Sequence, residues 1–400
     1  MSRRERVLVA MSGGVDSGVA AARLVDAGYD VVGVTLHLWD YPDDPEARGG
    51  HGRCCAPEDQ YDARRTADAL GFPHYTFDRR ELFSERVVAP FVKSYLDGQT
   101  PSPCTACNRT VKLGELMSIA RTLGAERVAT GHYARLGASP SGAPRIREAR
   151  DKQKDQSYFL YATPPALVGR LLFPLGESLK PDVRAEALAR RLPGAEKGES
   201  QELCFVGQGA GAYGDFVERR AAPGRVRPGP IVDELGRVVG AHSGIHRFTV
   251  GQRRGLGVAL GHPAFVTRIE PDSGHVVVGG EAALLAREVT LDDLHLAEGA
   301  SLPLACRARV RYRHEGADAW VEPSRGGARV VFSFPVRAAV RGQVAVLYEG
   351  DAVVGGGVIV DVGGYYAPLV AWIDGAIAAG LIAAPYRALV AAHPTVDAAL

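Results

Sequence analysis

Net charge is what this 400-residue sequence lacks: 47 basic residues face 46 acidic ones, leaving +1 at pH 7. That balance excludes a chain-wide electrostatic attraction to nucleic acid or anionic membrane, so any anion-binding surface has to be local. Long hydrophobic runs are missing too. The nearest thing to a membrane span, 366–385, is interrupted by Asp374 and bounded by Pro368 and Pro385. It reads as buried helix, and no membrane association is expected. The charged start, Arg3 to Arg6, is followed by only about five apolar residues, too few for a secretory signal, so a cytoplasmic location is expected. Cysteine is scarce, with six residues. In a cytosolic chain such usage suits reactive or metal-binding thiols better than a disulfide framework. What remains is an ordinary globular makeup, 46% hydrophobic and 23% charged, in a length that supports about two or three domains.

A Walker-type phosphate loop is also absent, because no Lys followed by Ser or Thr completes the glycine pair near the N-terminus. Instead, Ser12-Gly13-Gly14-Val15-Asp16-Ser17 stands between an apolar run, Val7 to Met11, and a helix-like segment, Gly18 to Ala27. A strand, a glycine turn and a helix start make a phosphate cradle. The glycines permit backbone angles that side-chained residues resist, and the positive end of the helix adds its field. Ser12 and Ser17 can add hydroxyl donors. The hexapeptide resembles the pyrophosphate loop of enzymes that split ATP into AMP and pyrophosphate to activate a carbonyl oxygen. A Gly-Ser turn before an ordinary helix is the alternative.

The first 130 residues alternate strand and helix. Short buried strands are expected at Val7–Met11, Val31–Leu36, His74–Phe77 and Arg127–Thr130, with helices over Asp59–Leu70 and Lys112–Leu123. This alternation predicts an α/β fold, an open parallel sheet with helices on both faces and ligands beyond the carboxyl ends of its strands. Both the glycine loop and Thr130-Gly131-His132 fall on that edge. From about Gly224 the texture changes to short alternating strands with glycine pairs, which reads as one or two small antiparallel β domains.

Two thiol segments stand out. Cys104-Thr105-Ala106-Cys107 follows Thr100-Pro101-Ser102-Pro103 at an expected helix start, where a thiol's pKa is lowered. A lone pair at this spacing is compatible with redox chemistry, with half of a metal site, or with two small residues in a turn, and no second half-site of that spacing exists. Cys204 lies where a polar loop, Glu199 to Leu203, enters an apolar run, a setting that suits a reactive thiol. Cys306 is expected to start a strand as a small buried hydrophobe. Cys54 and Cys55, adjacent in a Gly- and Arg-rich loop, favour neither packing nor a role. Basic residues concentrate at Arg307, Arg309, Arg311 and Arg313, an alternation that on a strand would present four guanidinium groups on one face. Arg145, Arg147, Lys152, Lys154, Arg253 and Arg254 could extend that track along a phosphate backbone.

Seven ordered segments over nine-tenths of the chain carry a family resemblance: Met11–Ser17, Thr100–Asn108, Ala129–Arg135, Lys154–Tyr161, Leu203–Gly207, Gly251–Gly257 and Val310–Arg313. From Arg6 to about Asp361 the chain resembles the tRNA-specific 2-thiouridylase (MnmA) family. The resemblance implies a pyrophosphate-loop ATPase and thiolation domain at 1–208, a small central tRNA-binding domain at 209–285 and a β-barrel at 286–362. ATP with magnesium would sit on Ala10, Met11, Ser12, Gly13, Gly14, Val15, Asp16 and Ser17, near Leu36 and Gly131, and the O2 carbonyl of the wobble uridine would be adenylated. A sulfur relay protein or cysteine desulfurase would load Cys204 as a persulfide. Cys107 would then release the sulfur onto the base and leave a Cys107–Cys204 disulfide. Positions Ser102, Pro103, Cys104, His132, Lys154, Asp155, Gln156, Arg311, Tyr312 and Gln343 fall where the family touches tRNA, with Lys, Glu and Gln tRNAs as substrates. The uridine must leave its anticodon stack to enter such a pocket.

The chain departs from one common version of the pattern at Cys104, where many relatives carry Asp. With Cys107 and Cys204 it would supply three thiolates, enough for an iron-sulfur cluster with one open iron. Cluster and persulfide routes both stay open at this point. Residues 363–400 extend past the usual end of the family and read as two amphipathic helices, a docking or oligomerisation appendage. They faintly resemble the end of LOG family phosphoribohydrolases, without that family's catalytic motif. A related loop enzyme thiolating or amidating another nucleoside is the alternative reading, and a non-catalytic RNA-binding module is a third.

Overall fold

Every strand expected in the first 130 residues forms in the computed structural model, which describes residues 4–40, 57–198, 203–207, 209, 211–362, 376–377, 379 and 381. They are β1 Arg6–Ala10, β2 Asp30–His37, β3 His74–Asp78 and β4 Arg127–Ala129; a hairpin follows, β5 Arg135–Ala138 with β6 Pro144–Arg147, and then β7 Leu171–Leu172. Strand β1 carries Val7, Leu8 and Val9 with no exposed surface, the unbroken apolar run that a central parallel strand requires. Its two faces bury different partners. Leu8 joins Val32 and Val34 against α4 Ala89–Leu96 and α6 Leu113–Thr122. Val7 and Val9 join Ala21 and Leu24 of α1 Val15–Asp26 and Ala63 and Ala67 of α2 Pro57–Leu70.

The sheet runs β3-β2-β1-β4-β7 with all neighbours parallel. The order reverses between β1 and β4, which opens a crevice at their carboxyl ends. A short helix, α3 Arg80–Phe83, precedes α4. Helix α5 Pro103–Cys107 runs through a π turn at Asn108–Lys112 into α6, so Pro103 to Thr122 is one helical rod with a widened turn after Cys107. Such turns recur at functional sites. Helices α7 Pro165–Val168, α8 Lys180–Ala189 and α9 Ala212–Arg220 complete this half.

Beyond it, β8 Gly229–Asp233, β9 Val238–His242, β10 Phe265–Glu270 and β11 His275–Gly279 form a sheet in the order β10-β11-β8-β9. This sheet is mixed rather than antiparallel, because its two hairpins join through parallel inner strands β11 and β8. Strands β12 Leu285–Leu296, β13 Leu304–Arg309, β14 Ala317–Ser324, β15 Gly327–Arg337, β16 Val344–Glu349 and β17 Ala352–Val362 close into a six-stranded barrel, since β12 pairs with both β15 and β17. Ala352 of β17 also pairs with Arg147 of β6, which joins the barrel to the parallel-sheet half.

The arginine ladder expected over 307–313 does not form. Strand β13 ends at Arg309 and the chain leaves the sheet. The guanidinium of Arg309 is buried against Asp155 (2.9 Å) and Glu148 (3.4 Å), and Arg307 pairs with Glu148 (2.8 Å). Acidic partners from another part of the chain therefore consume the charges that alternation assigned to solvent. Three residues of the expected extension are consumed likewise: Arg147 holds Asp351, Lys152 holds Glu148, and buried Arg145 donates to the Glu298 carbonyl. Cys306 lies within β13 rather than at its start and packs against the barrel core, and burial pushes its thiol up to about 12. Among the described residues no helix is long and apolar enough to cross a membrane. The expectations for Cys54, Cys55, Glu199–Glu202 and the helical tail lie outside the described residues.

Candidate active site

The glycine loop owes its shape to two close approaches. Gly13 has φ +73°, and a Cβ there would lie 2.0 Å from the Asp59 carbonyl oxygen, so only glycine fits. A Cβ on Gly131, in the turn after β4, would lie 2.9 Å from the Asp16 carbonyl carbon and the Ser17 nitrogen. The two turns at the sheet's switch point are thus in backbone contact. Ser17 Oγ donates to the Gly14 carbonyl (3.0 Å) and accepts from the Ser12 N–H (3.2 Å), closing the loop over the start of α1. Asp16 sits on that helix start. Its carboxylate accepts from Lys180 Nζ at 2.7 Å through both oxygens and from the Tyr133 hydroxyl at 2.8 Å.

A cleft of about 920 Å³ opens above this loop. Ala10, Met11, Ser12, Gly14, Val15, Asp16, Ser17, Leu36 and Gly131 line it, and among the expected nucleotide residues only Gly13 does not reach its wall. Its wall also includes Ser102, Pro103, Cys104, His132, Lys154, Gln156, Cys204, Tyr312 and Gln343. Gln343, from the barrel, donates Nε2 to the Thr100 carbonyl (2.9 Å) and the Pro101 carbonyl (3.3 Å), while Thr100 N–H donates to the Arg341 carbonyl. The barrel therefore clamps the turn that presents Cys104. Tyr312 lies against Phe159 with ring centroids 4.5 Å apart, forming an aromatic wall.

The three thiols differ in setting. Cys104 is exposed, Cys204 is half-buried and lines the cleft, and Cys107 is buried one helical turn beyond Cys104 in the core on which Cys204 also packs. The loop bearing Cys204 is anchored by its neighbour Phe205, edge-on to Phe83 at 5.5 Å and to Phe91 at 5.1 Å. Among the described residues no three His, Cys, Asp or Glu side chains are grouped as ligands of one metal ion. Burial, followed by the charge of Lys112, pushes His132 down to about 3, so its imidazole is neutral at physiological pH, with Nδ1 2.9 Å from the Thr130 hydroxyl.

Two expected RNA contacts are placed differently. Asp155 is 2% exposed and its carboxylate is committed to Arg309, to the N–H groups of Ala149 and Ser157 and to the Ser157 hydroxyl, so it shapes the 154–156 segment rather than touching a ligand. Arg311 does not line the cleft, whereas Arg313 does. Sequence reasoning also missed Lys112, Tyr133, Phe159, Lys180, Arg184 and Lys197, all of which line it. One signal for Lys180 was available, namely a cation at the first position of a Pro-started helix, where the helix field disfavours it. Locally the cleft is basic, with Lys112, Lys154, Lys180, Arg184, Lys197 and Arg313 against Asp16 and Asp59.

Comparison with known proteins agrees with this geometry. Residues 5–208 match the family described as the tRNA methyl transferase HUP domain, 214–280 the tRNA methyl transferase PRC-barrel domain and 286–359 the aminomethyltransferase beta-barrel domain. A tRNA-specific 2-thiouridylase MnmA of Sorangium cellulosum is 59% identical over 88% of this chain and 91% of its own length. The proteins of that name from Heliobacterium modesticaldum and Moorella thermoacetica are 44% and 46% identical over 89% and 88% of this chain, and 93% and 98% of their own lengths. Glycine loop, paired thiol segments, closed barrel and similarity over nearly nine-tenths of the chain converge on one conclusion: this chain belongs to the tRNA-specific 2-thiouridylase MnmA family.

Proposed function

We propose that this chain is a tRNA-uridine 2-sulfurtransferase that adenylates O2 of the wobble uridine with ATP and replaces that oxygen by sulfur, releasing AMP and pyrophosphate in the cytoplasm. The observation that carries the reading is a single cleft whose wall includes both the glycine loop and Cys204. Residues 1–208 would activate and thiolate, while 209–285 and 286–362 would hold the tRNA. Uridine O2 attacks the α-phosphorus and the bridging oxygen leaves with pyrophosphate. The N–H groups at the start of α1 and the Ser12 hydroxyl would face the phosphates, while the Ser17 hydroxyl braces the loop on the Gly14 carbonyl. Asp16, once released by Lys180, would be the loop carboxylate able to hold magnesium, which would supply charge neutralisation on the phosphates.

Sulfur arrives as a persulfide on Cys204, delivered by a relay protein or a cysteine desulfurase. Its terminal sulfur attacks C2 and AMP departs. The Cys107 thiolate then attacks Cys204 Sγ, breaking the S–S bond, leaving sulfur on C2 and forming a Cys107–Cys204 disulfide that an external thiol must reduce. The flipped base would stack on Tyr312 and Phe159, with Lys154, Gln156 and the turn at 102–104 against the tRNA. Half-buried Cys204 packs on the core that holds Cys107, whereas Cys104 is exposed, and this favours the two-thiol route over a cluster that draws on all three. Nucleoside mass spectrometry tests it on unmodified Lys, Glu and Gln tRNAs with ATP. Metal-free protein with a persulfide donor should yield 2-thiouridine. Product only after anaerobic iron reconstitution would reinstate the cluster, and no product from either sample would remove the substrate assignment.

A further inference from the structure

An ion pair at the glycine loop joins Asp16 to Lys180, two residues 164 positions apart. Lys180 Nζ contacts both carboxylate oxygens at 2.7 Å, lies 5.6 Å over the Tyr133 ring and has only 12% of its side chain exposed. Its position is electrostatically costly. Lys180 opens α8, so the partial positive charge of that helix start repels its ammonium, as does the nearby start of α1. The backbone is nevertheless held there, because the Lys180 N–H donates to Asp151 Oδ2 at 2.9 Å. One turn on, Arg184 lines the same cleft wall. Two helix starts and two cations facing a loop whose one carboxylate is already taken up constitute a site with surplus positive potential and room for an anion.

We propose that Lys180 is a ligand of the β- and γ-phosphates, held on Asp16 in the nucleotide-free chain and transferred to the leaving pyrophosphate when ATP binds. This rests on the reading of the cleft as an adenylating site. As uridine O2 bonds to the α-phosphorus, the bond from that phosphorus to the bridging oxygen breaks and its electron pair goes to pyrophosphate. The added negative charge develops on the side of the loop where Lys180 and Arg184 stand, and a fixed ammonium there stabilises the transition state more than the ground state. Held by Asp16 beforehand, the ammonium does not have to be recruited from water.

The test uses calorimetric titration of the full chain with inorganic pyrophosphate, with an α,β-methylene analogue of ATP and with AMP. Lys180→Met should weaken pyrophosphate and the analogue about ten- to a hundredfold, the value of a charge-assisted contact. AMP, which lacks the β- and γ-phosphates, should bind as to the wild type and doubles as the folding control. Lys180→Arg should recover most of the pyrophosphate affinity. In single turnover, tRNA-dependent pyrophosphate release should slow about 10²- to 10³-fold in the Met variant. Equal weakening of AMP and pyrophosphate would overturn the proposal, because it would mean that Lys180 merely shapes the loop through Asp16; so would unchanged pyrophosphate affinity. A wild-type chain that binds pyrophosphate through Lys180 but forms no 2-thiouridine would break the functional reading and leave this inference standing.

Discussion

Arg309→Met is the substitution that most directly probes how the barrel and the parallel-sheet half depend on each other. Arg309 Nη1 stands 2.9 Å from Asp155 Oδ2, with the two side chains 9% and 2% exposed. The guanidinium also reaches Glu148 and the Tyr348 hydroxyl at 3.4 Å each, donates to the Tyr312 carbonyl and lies over the rings of Tyr158 and Tyr348 at 5.6 and 5.5 Å. Methionine keeps the apolar stem but leaves Asp155 buried without its counter-ion, a loss of about 3–5 kcal/mol. Three donors remain on Asp155, from Ala149, Ser157 N–H and Ser157 Oγ, which places the cost at the lower end. Asp155→Asn combined with Arg309→Met removes both charges, and the double variant should recover part of the loss, with a coupling energy of about 0.5–3 kcal/mol. Urea unfolding followed by circular dichroism measures the cycle. Because Asp155 fixes the backbone on either side of Lys154 and Gln156, KM for tRNA should rise while ATP affinity stays unchanged. A cost within about 0.5 kcal/mol, as for an exposed pair, or strict additivity in the double variant would refute this account.

Acid sensitivity follows from the histidines. His132 is held down at about 3, and His74, His242, His246 and His314 are also lowered, with burial the largest cause in each. Below the ordinary value of 6.5 the unfolded chain binds protons that the folded chain refuses, so stability is complete above that pH and falls as pH drops toward 3. Melting temperature should decline between pH 7 and 5, and a flat profile would count against it. Gly13→Ala forces φ +73° on a side-chained residue and a Cβ onto the Asp59 carbonyl. It should abolish ATP binding in calorimetry, at a conformational cost of about 1–2 kcal/mol before any clash, and Gly131→Ala should do the same through Asp16. Cys204→Ser and Cys107→Ser should each eliminate 2-thiouridine while preserving tRNA-dependent pyrophosphate release, because adenylation precedes sulfur transfer. Loss of both activities in either variant would break that division of labour.

The parts of this molecule that were legible in the sequence are those determined by short-range physics. Val7-Leu8-Val9 can only be a strand buried on both faces, and a glycine pair between it and a helix can only turn the chain there, so the sheet, the loop and the ligand edge follow from local pattern. Cys104 and Cys204 were legible as segments, although the depth of Cys107 beneath the cleft was not. What local pattern cannot supply is the partner of a charge. Arg309 reads as one rung of a basic ladder until the fold brings Asp155 against it from 154 residues earlier, and nothing local to Lys180 announces the Asp16 that meets it across 164. The same long-range pairing accounts for the nearly neutral total. Arg147, Arg307 and Arg309 are matched by Asp351, Glu148 and Asp155, which takes those three charges up internally and ties the two halves together. The cleft is left with an excess of basic side chains in a chain of net charge +1. A neutral sum is therefore the expected signature of an enzyme that must focus an RNA and a nucleotide on one crevice instead of binding polyanions over its whole surface.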